Sequence, residues 1–143
     1  MCYQFCPFAK RIERGKLAKA LACVKARLLT MILQSDIMLI AVAGPYSAET
    51  EEQRQKNFDA MNRAAARLLE KGHTPIIGVN AALPVVERAN VSDKYEAIMQ
   101  ISMAVVANCD AILVLGSSRG TDRERDYFIS QNKPVYYSIG EVE

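Results

Sequence analysis

The chain predicts an α/β protein, a three-layer α/β/α arrangement in which helices cover both faces of a small, doubly wound parallel sheet. Two observations carry this. Met38-Leu-Ile-Ala-Val-Ala43 and Ala111-Ile-Leu-Val-Leu115 are short, unbroken apolar runs of the kind found in strands buried on both faces. Each run breaks into a loop of small residues, and helix-period segments separate the two, as βαβ crossovers require.

Taken in order, the first strand covers 38–43 and stops sharply at Gly44-Pro45. Thr50-Glu-Glu-Gln53 fits a capping box, and Phe58, Met61, Ala65, Leu68 and Leu69 mark one face of a helix running to about Lys71, with Gly72 placed to cap its end. Residues 74–79 read as a short strand interrupted early by Pro75, and residues 80–91 as a Pro-containing connection with one helical turn. A helix over 93–108 follows, with Ile98, Ile101, Ser102, Val105 and Val106 on its buried side. Asp110 leads into the strand at 111–115. Thr121, with Glu124 three residues on, fits a second capping box and predicts a helix over 121–131, and Lys133-Pro-Val-Tyr-Tyr137 supplies the last strand. With strand order 2-1-3-4, the first and third strands are neighbours, so their loops line one crevice beyond the carboxyl ends of the sheet.

Composition bounds the possibilities. An apolar share of 50% and a charged share of 24% over 143 residues describe one soluble-type domain with a real core. The net charge of +2 is unevenly spread: residues 1–37 hold seven Lys and Arg against Glu13 and Asp36, which leaves 38–143 at a net −3. A mildly acidic domain gives no support to nucleic-acid binding. Cys2, Cys6, Cys23 and Cys109 lack zinc-site spacing and disulfide density, so a reducing cytoplasm is the expected compartment.

The chain divides into a basic N-terminal extension, 1–37, and a small α/β unit, 38–143. Within the extension, residues 9–33 place Leu17, Leu21, Val24, Leu28 and Ile32 on one helical face. Three readings fit it: a helix packed on the domain or a partner, a translated extension of little role, or an Arg-rich targeting or membrane-surface segment. No apolar run is long enough to span a bilayer, so no membrane partner is expected. Met31 and Met38 would each serve as an alternative start, and Met38 stands directly at the first strand.

The chemistry concentrates in two loops, Gly44-Pro45-Tyr46-Ser47 and the stretch containing Gly116, Ser117, Ser118, Arg119 and Gly120. Small residues let backbone N–H groups approach a ligand, and a helix N-terminus behind the second loop aims its donors and positive dipole end there. The occupant expected is polar or anionic. No His/Cys/Asp cluster has metal-ligand spacing, and with His73 as the single histidine no Ser/His/Asp arrangement is persuasive. Neither a metal nor a cofactor is expected.

These motifs taken together, Ile40-Ala-Val-Ala-Gly-Pro-Tyr-Ser47, Leu-Leu-Glu-Lys-Gly-His73, Cys-Asp-Ala-Ile-Leu-Val-Leu115, Ser118-x-Gly120-x-x-x-Glu124 and Lys-Pro-Val-Tyr136, resemble the nucleoside 2-deoxyribosyltransferase-like family over 38–139. The resemblance implies a flavodoxin-like fold, a deoxynucleoside or deoxynucleotide substrate, and a homo-oligomer in which a neighbouring subunit helps complete the site. It implies Glu124 as nucleophile, Ser118 as a phosphate contact and Tyr46 in the loop facing the sugar. N-glycosidic cleavage passes through an oxocarbenium-like transition state that such a carboxylate stabilises, and a helix dipole behind Glu124 is expected to keep it ionised.

The pattern departs at one point. The family's usual acid, eight residues before Asp110, falls on Ser102, and a serine is no general acid near neutral pH. Asp93, Glu96 and Asp122 are possible substitutes among which the sequence does not choose. Each candidate also has a plain reading: Glu124 completing the capping box with Thr121, Ser117 and Ser118 as turn residues, Arg119 solvated instead of holding phosphate, Tyr46 as a loop plug, and His73 as a structural residue. Two alternatives follow. Gly120-Thr-Asp-Arg-Glu124 is similar to the Gly-Thr-x-x-Glu element of cytokinin-activating phosphoribohydrolases, and loss of the acid fits a non-catalytic nucleotide-sensing module.

Overall fold

The computed structural model describes residues 37–143; the helix expected over 9–33 lies outside them. Four parallel strands, β1 (Leu39–Ala43), β2 (Thr74–Ile76), β3 (Ala111–Val114) and β4 (Val135–Tyr136), pair in the order β2-β1-β3-β4. Helices α1 (Glu51–Glu70), α2 (Gly78–Val86), α3 (Lys94–Val106) and α4 (Arg119–Ser130) connect them, and a short 3-10 turn (Ile139–Glu141) follows β4. This is the three-layer, flavodoxin-like arrangement that the alternating apolar runs imply.

The two faces of the sheet bury different sets. Ile40 and Val42 of β1 and Ala111 and Leu113 of β3 pack on Met61, Ala64 and Leu68 of α1. Ala41, Ala43, Ile112 and Val114 face Val106 of α3 and Phe128 of α4. Because strand side chains alternate and both faces are covered, β1 and β3 had to be continuously apolar. Asp110 ties their starts together: its Oδ2 accepts the Leu39 N–H at 2.8 Å while its own N–H donates to the Leu39 carbonyl at 2.7 Å.

Local chemistry sets the helix ends. Thr50 caps α1, its Oγ1 accepting the Gln53 N–H at 3.2 Å, and Gly72 leaves the helix at φ 93°. His73 is buried as a structural residue, Nδ1 accepting the Met38 N–H at 3.3 Å, so Nε2 carries the proton toward the Glu143 carbonyl oxygen at 2.8 Å. The Lys133 Nζ closes the end of α3 on the Ala107 and Cys109 carbonyls at 2.8 and 2.7 Å. Burial pushes the Cys109 thiol up to about 11, which makes it an inert core residue.

Three expectations are corrected. Residues 80–91 are not mainly a loop, and Val79 is not in a strand: both belong to or follow α2, which persists through Pro84 because Ala82 and Val86 are buried. Packing outweighs the one lost N–H. Leu69, expected on the buried face of α1, is 63% exposed, since the buried stripe runs Met61, Ala64, Leu68. Helix α4 starts at Arg119, two residues before Thr121. Among the described residues no helix is long and apolar enough to cross a membrane.

The close crossing of α2 on α3 depends on a missing side chain. A Cβ on Gly78 would lie 2.9 Å from the Ser102 Cβ and 3.0 Å from its Cα, closer than packed atoms allow. Gly78→Ala is therefore expected to lower stability by about 1–3 kcal/mol in denaturant titration, despite alanine's better helix propensity.

Candidate functional site

The site is set by strand register. Ala43 pairs with Val114, and the Leu115 N–H donates to the Ala43 carbonyl at 2.8 Å, so β1 and β3 release their chains side by side. The two loops then touch: the position a Cβ would take on Gly116 lies 3.2 Å from the Pro45 ring, contact that a larger residue would crowd. Beyond them opens a hollow of about 80 Å³. Roughly 10–15 Å³ suffices for one water, so this space admits a small organic group.

Gly44, Tyr46 and Ser47 of the first loop line it, with Ser118, Gly120, Thr121 and Glu124 on the α4 side. The opposite wall is α3, which contributes Tyr95, Ile98, Met99 and Ser102, and Val79 of α2 completes it. Tyr46 is held from behind by an edge-on contact with Phe58, ring centroids 6.3 Å apart.

The other candidates lie elsewhere. Gly116 and Ser117 face a separate hollow with Asp122, Arg125 and Tyr137. Pro45 serves the contact between loops, and Arg119 reaches the site indirectly, its guanidinium 4.6 Å from the centre of the Tyr95 ring. Of the ten residues singled out, the first hollow thus gathers Gly44, Tyr46, Ser47, Ser118, Gly120 and Glu124. Sequence reasoning missed Tyr95, Ile98 and Met99 as lining residues. With Ser102 they recur at helical spacing, and that pattern reads as an ordinary core stripe.

The start of α4 changes the standing of Glu124. Ser118 is the N-cap: its Oγ accepts the Thr121 N–H at 3.2 Å and lies 2.9 Å from the Thr121 Oγ1. Asp122 N–H donates to the Ser118 carbonyl at 2.8 Å. Glu124 therefore sits in the second turn and completes no capping box with Thr121. The expected help from the helix dipole is also absent there, because the effect fades within the first turn. Burial instead pushes the Glu124 carboxyl from the ordinary 4.5 up to about 7, with no charged or hydrogen-bonding neighbour offsetting it.

Among the described residues no other carboxylate lines this hollow. Asp93 caps α3 by accepting the Glu96 N–H at 2.9 Å, Glu96 pairs with Arg123 at 2.8 Å, and Asp122 takes the Ser117 hydroxyl at 2.9 Å and Arg125 at 2.8 Å. None of the three substitutes proposed for the acid faces the site. Ser102, 2% exposed, stands in the wall against Gly78. The Tyr95 hydroxyl is buried and finds no hydrogen-bond partner among the described groups, a state that costs about 1–3 kcal/mol when nothing else satisfies it. No three His, Cys, Asp or Glu side chains gather as a metal site among the described residues.

Comparison with curated proteins returns no match. A family model described as a domain of unknown function, DUF4406, matches residues 38–137, a span that includes both loops, the α3 wall and Glu124. The match covers well over half of the chain, which therefore belongs to the DUF4406 family.

Proposed function

We propose that this domain cleaves, or transfers across, the N-glycosidic bond of a 2′-deoxynucleoside or its 5′-monophosphate, with Glu124 as nucleophile. The observation that carries the reading is the placement of Glu124. It is a carboxylate without a hydrogen-bond or ion-pair partner among the described residues, facing a hollow at the carboxyl ends of β1 and β3, where doubly wound sheets hold ligands. A structural carboxylate would be paired or solvated; one held desolvated against its own ionisation calls for a functional account. The resemblance of 38–139 to the nucleoside 2-deoxyribosyltransferase-like family supplies the substrate class.

In this reading the ionised Glu124 attacks C1′ as the base departs, and a glycosyl ester forms. Water or a second base then takes the sugar, giving hydrolysis or transfer. Tyr46 and Ser47 bracket the sugar from the β1 loop, while backbone N–H groups around Ser118 and Gly120 face a 5′-phosphate. The reading needs neither metal nor cofactor. A homo-oligomer belongs to it, since a neighbouring subunit could add groups that this chain lacks.

A second reading, a nucleotide-sensing module, is favoured by one observation: Ser102 occupies the wall where the family resemblance places an acid. The two separate on incubation with deoxynucleosides and their 5′-monophosphates, with free base followed by chromatography. The enzymatic reading expects release by the parent and a loss of about 10³-fold or more in Glu124→Ala. Binding of nucleotide without release, equal in parent and Glu124→Ala, selects the sensor.

The raised carboxyl makes a further expectation with a definite sign. kcat/KM should rise with pH through about 7 and then level off, because the ionised form of the free enzyme is the nucleophile. Stability moves the opposite way. The folded state holds the Glu124 proton more tightly than the unfolded chain, so this contribution is complete below about 4.5 and is lost as pH rises through about 7. Glu124→Gln should accordingly be the more stable protein at pH 8 by on the order of 1–2 kcal/mol, with solvent access at this half-buried site reducing the full effect, and the advantage should vanish at pH 4 when both are melted in parallel.

A further inference from the structure

Most arginines among the described residues are engaged. Arg54, Arg123 and Arg125 pair with carboxylates, Arg88 donates to the Pro84 carbonyl, and Arg119 lies over the Tyr95 ring. This leaves Arg63 and Arg67, which hold no ion pair or hydrogen bond among the described residues. They stand one turn apart on α1, both exposed, and line the same hollow of about 340 Å³. Acids within reach along the helix do not take them. Asp59, four residues before Arg63, receives the Gln55 amide at 2.9 Å instead, and Glu70, three after Arg67, forms no ion pair among the described residues. Like charges four residues apart repel, a cost that the Glu51–Arg54 and Glu52–Lys56 pairs spare the start of the same helix.

The hollow is built before any ligand arrives. Its other lining residues, Ala60, Ala64, Leu115 and Ile139, are apolar, and no carboxylate is among them. Lys71, one turn beyond Arg67, fixes the Ile139 side by donating to the Ile139 carbonyl at 3.2 Å and to the Val142 carbonyl. Glu141, in the same turn, is taken by the Tyr137 N–H at 2.8 Å and the Ser138 hydroxyl at 3.2 Å, so it does not neutralise the arginines. A space within roughly 300–1,000 Å³, mostly apolar and carrying a few fixed polar groups, is the usual make-up of a small-molecule cleft.

We infer that this hollow binds a phosphate monoester carried on a flat or apolar body. A guanidinium presents a planar fork of donors that matches phosphate oxygens, and two of them one turn apart share one dianionic group. The four apolar residues then take the body of the ligand out of water. A carboxylate brings less charge to the pair, and a bare phosphate leaves the apolar lining unused. No lining residue is shared with the hollow of Glu124, so the inference does not depend on the role given to that carboxylate. A nucleotide and a simple aryl phosphate have this chemistry in common.

Isothermal titration calorimetry of the full chain tests the site with three probes: phenyl phosphate, inorganic phosphate and 2′-deoxyadenosine 5′-monophosphate. The comparison is the double variant Arg63→Gln/Arg67→Gln, which should melt as the parent does because both side chains are exposed and unpaired. Phenyl phosphate is expected to bind the parent about tenfold or more tighter than inorganic phosphate, and to lose about tenfold or more in the double variant. Binding at the Glu124 hollow does not mimic that loss, since neither arginine lines it. A nucleotide that binds tighter than phenyl phosphate and weakens with it in the variant identifies the source as a nucleotide; one that binds no tighter identifies another aryl phosphate, and both uphold the site. Equal phenyl phosphate affinity in parent and variant, no binding to the parent, or inorganic phosphate binding as tightly as phenyl phosphate overturns it. A double variant that changes oligomeric state and keeps its phosphate affinity gives this face to a second copy of the chain, and overturns it as well.

Discussion

The parallel pairing of β1 with β3 is the constraint on which the rest depends. Once Ala43 is in register with Val114, the chain must leave both strands at the same edge of the sheet, and the Leu115 N–H to Ala43 bond carries that register one residue past the strand. Pro45 then meets Gly116, and the two loops become one surface. A shift of one residue would turn Ile40 and Val42 to the face where α3 and α4 pack and would carry the loops apart. The buried alternation of Ile40 and Val42 against Ala41 and Ala43 is what forbids that shift.

A second constraint comes from where α4 begins. Capping by Ser118 takes up the Thr121 N–H locally, with Thr121 buried behind it. Glu124 is thereby released from structural duty and carried one turn deeper, onto the side of α4 that faces α3. Its burial opposes its charge, and no group among the described residues pairs with it. A paired carboxylate would be stable but chemically quiet. This one is costly at neutral pH, and under the proposed glycosidic reading the cost is intelligible, because a carbon that gains positive charge would meet it.

The α3 wall accounts for the small residue at position 102. Gly78 brings α2 within contact of Ser102, so this position is held to a small side chain by packing. A carboxylate there would have to push into the hollow or displace α2. Two turns away on the same face, Tyr95 carries a buried oxygen with no hydrogen-bond partner among the described residues. Asp93, Glu96 and Asp122, which look equally available in the chain, are held by a cap, by Arg123 and by Arg125.

Much of this was readable along the chain. Unbroken apolar runs at β1 and β3, capping by Thr50 and a glycine at position 72 are short-range signals, each governed by residues within one turn of each other, and they specify the elements and the layered class. Other features were not readable, because they depend on what lies across space. Thr121 looks like the cap in the chain, yet Ser118 takes that role and Thr121 is buried one turn in. Pro84 looks like a breaker, and packing on α3 kept the helix. Tyr95, Ile98 and Met99 look like core, yet an opening between α3 and α4 makes them a wall. Spacing within the chain chose the elements; desolvation and contact between distant segments chose which side chains face the hollow, because burial is a property of the assembled layers and of no single stretch.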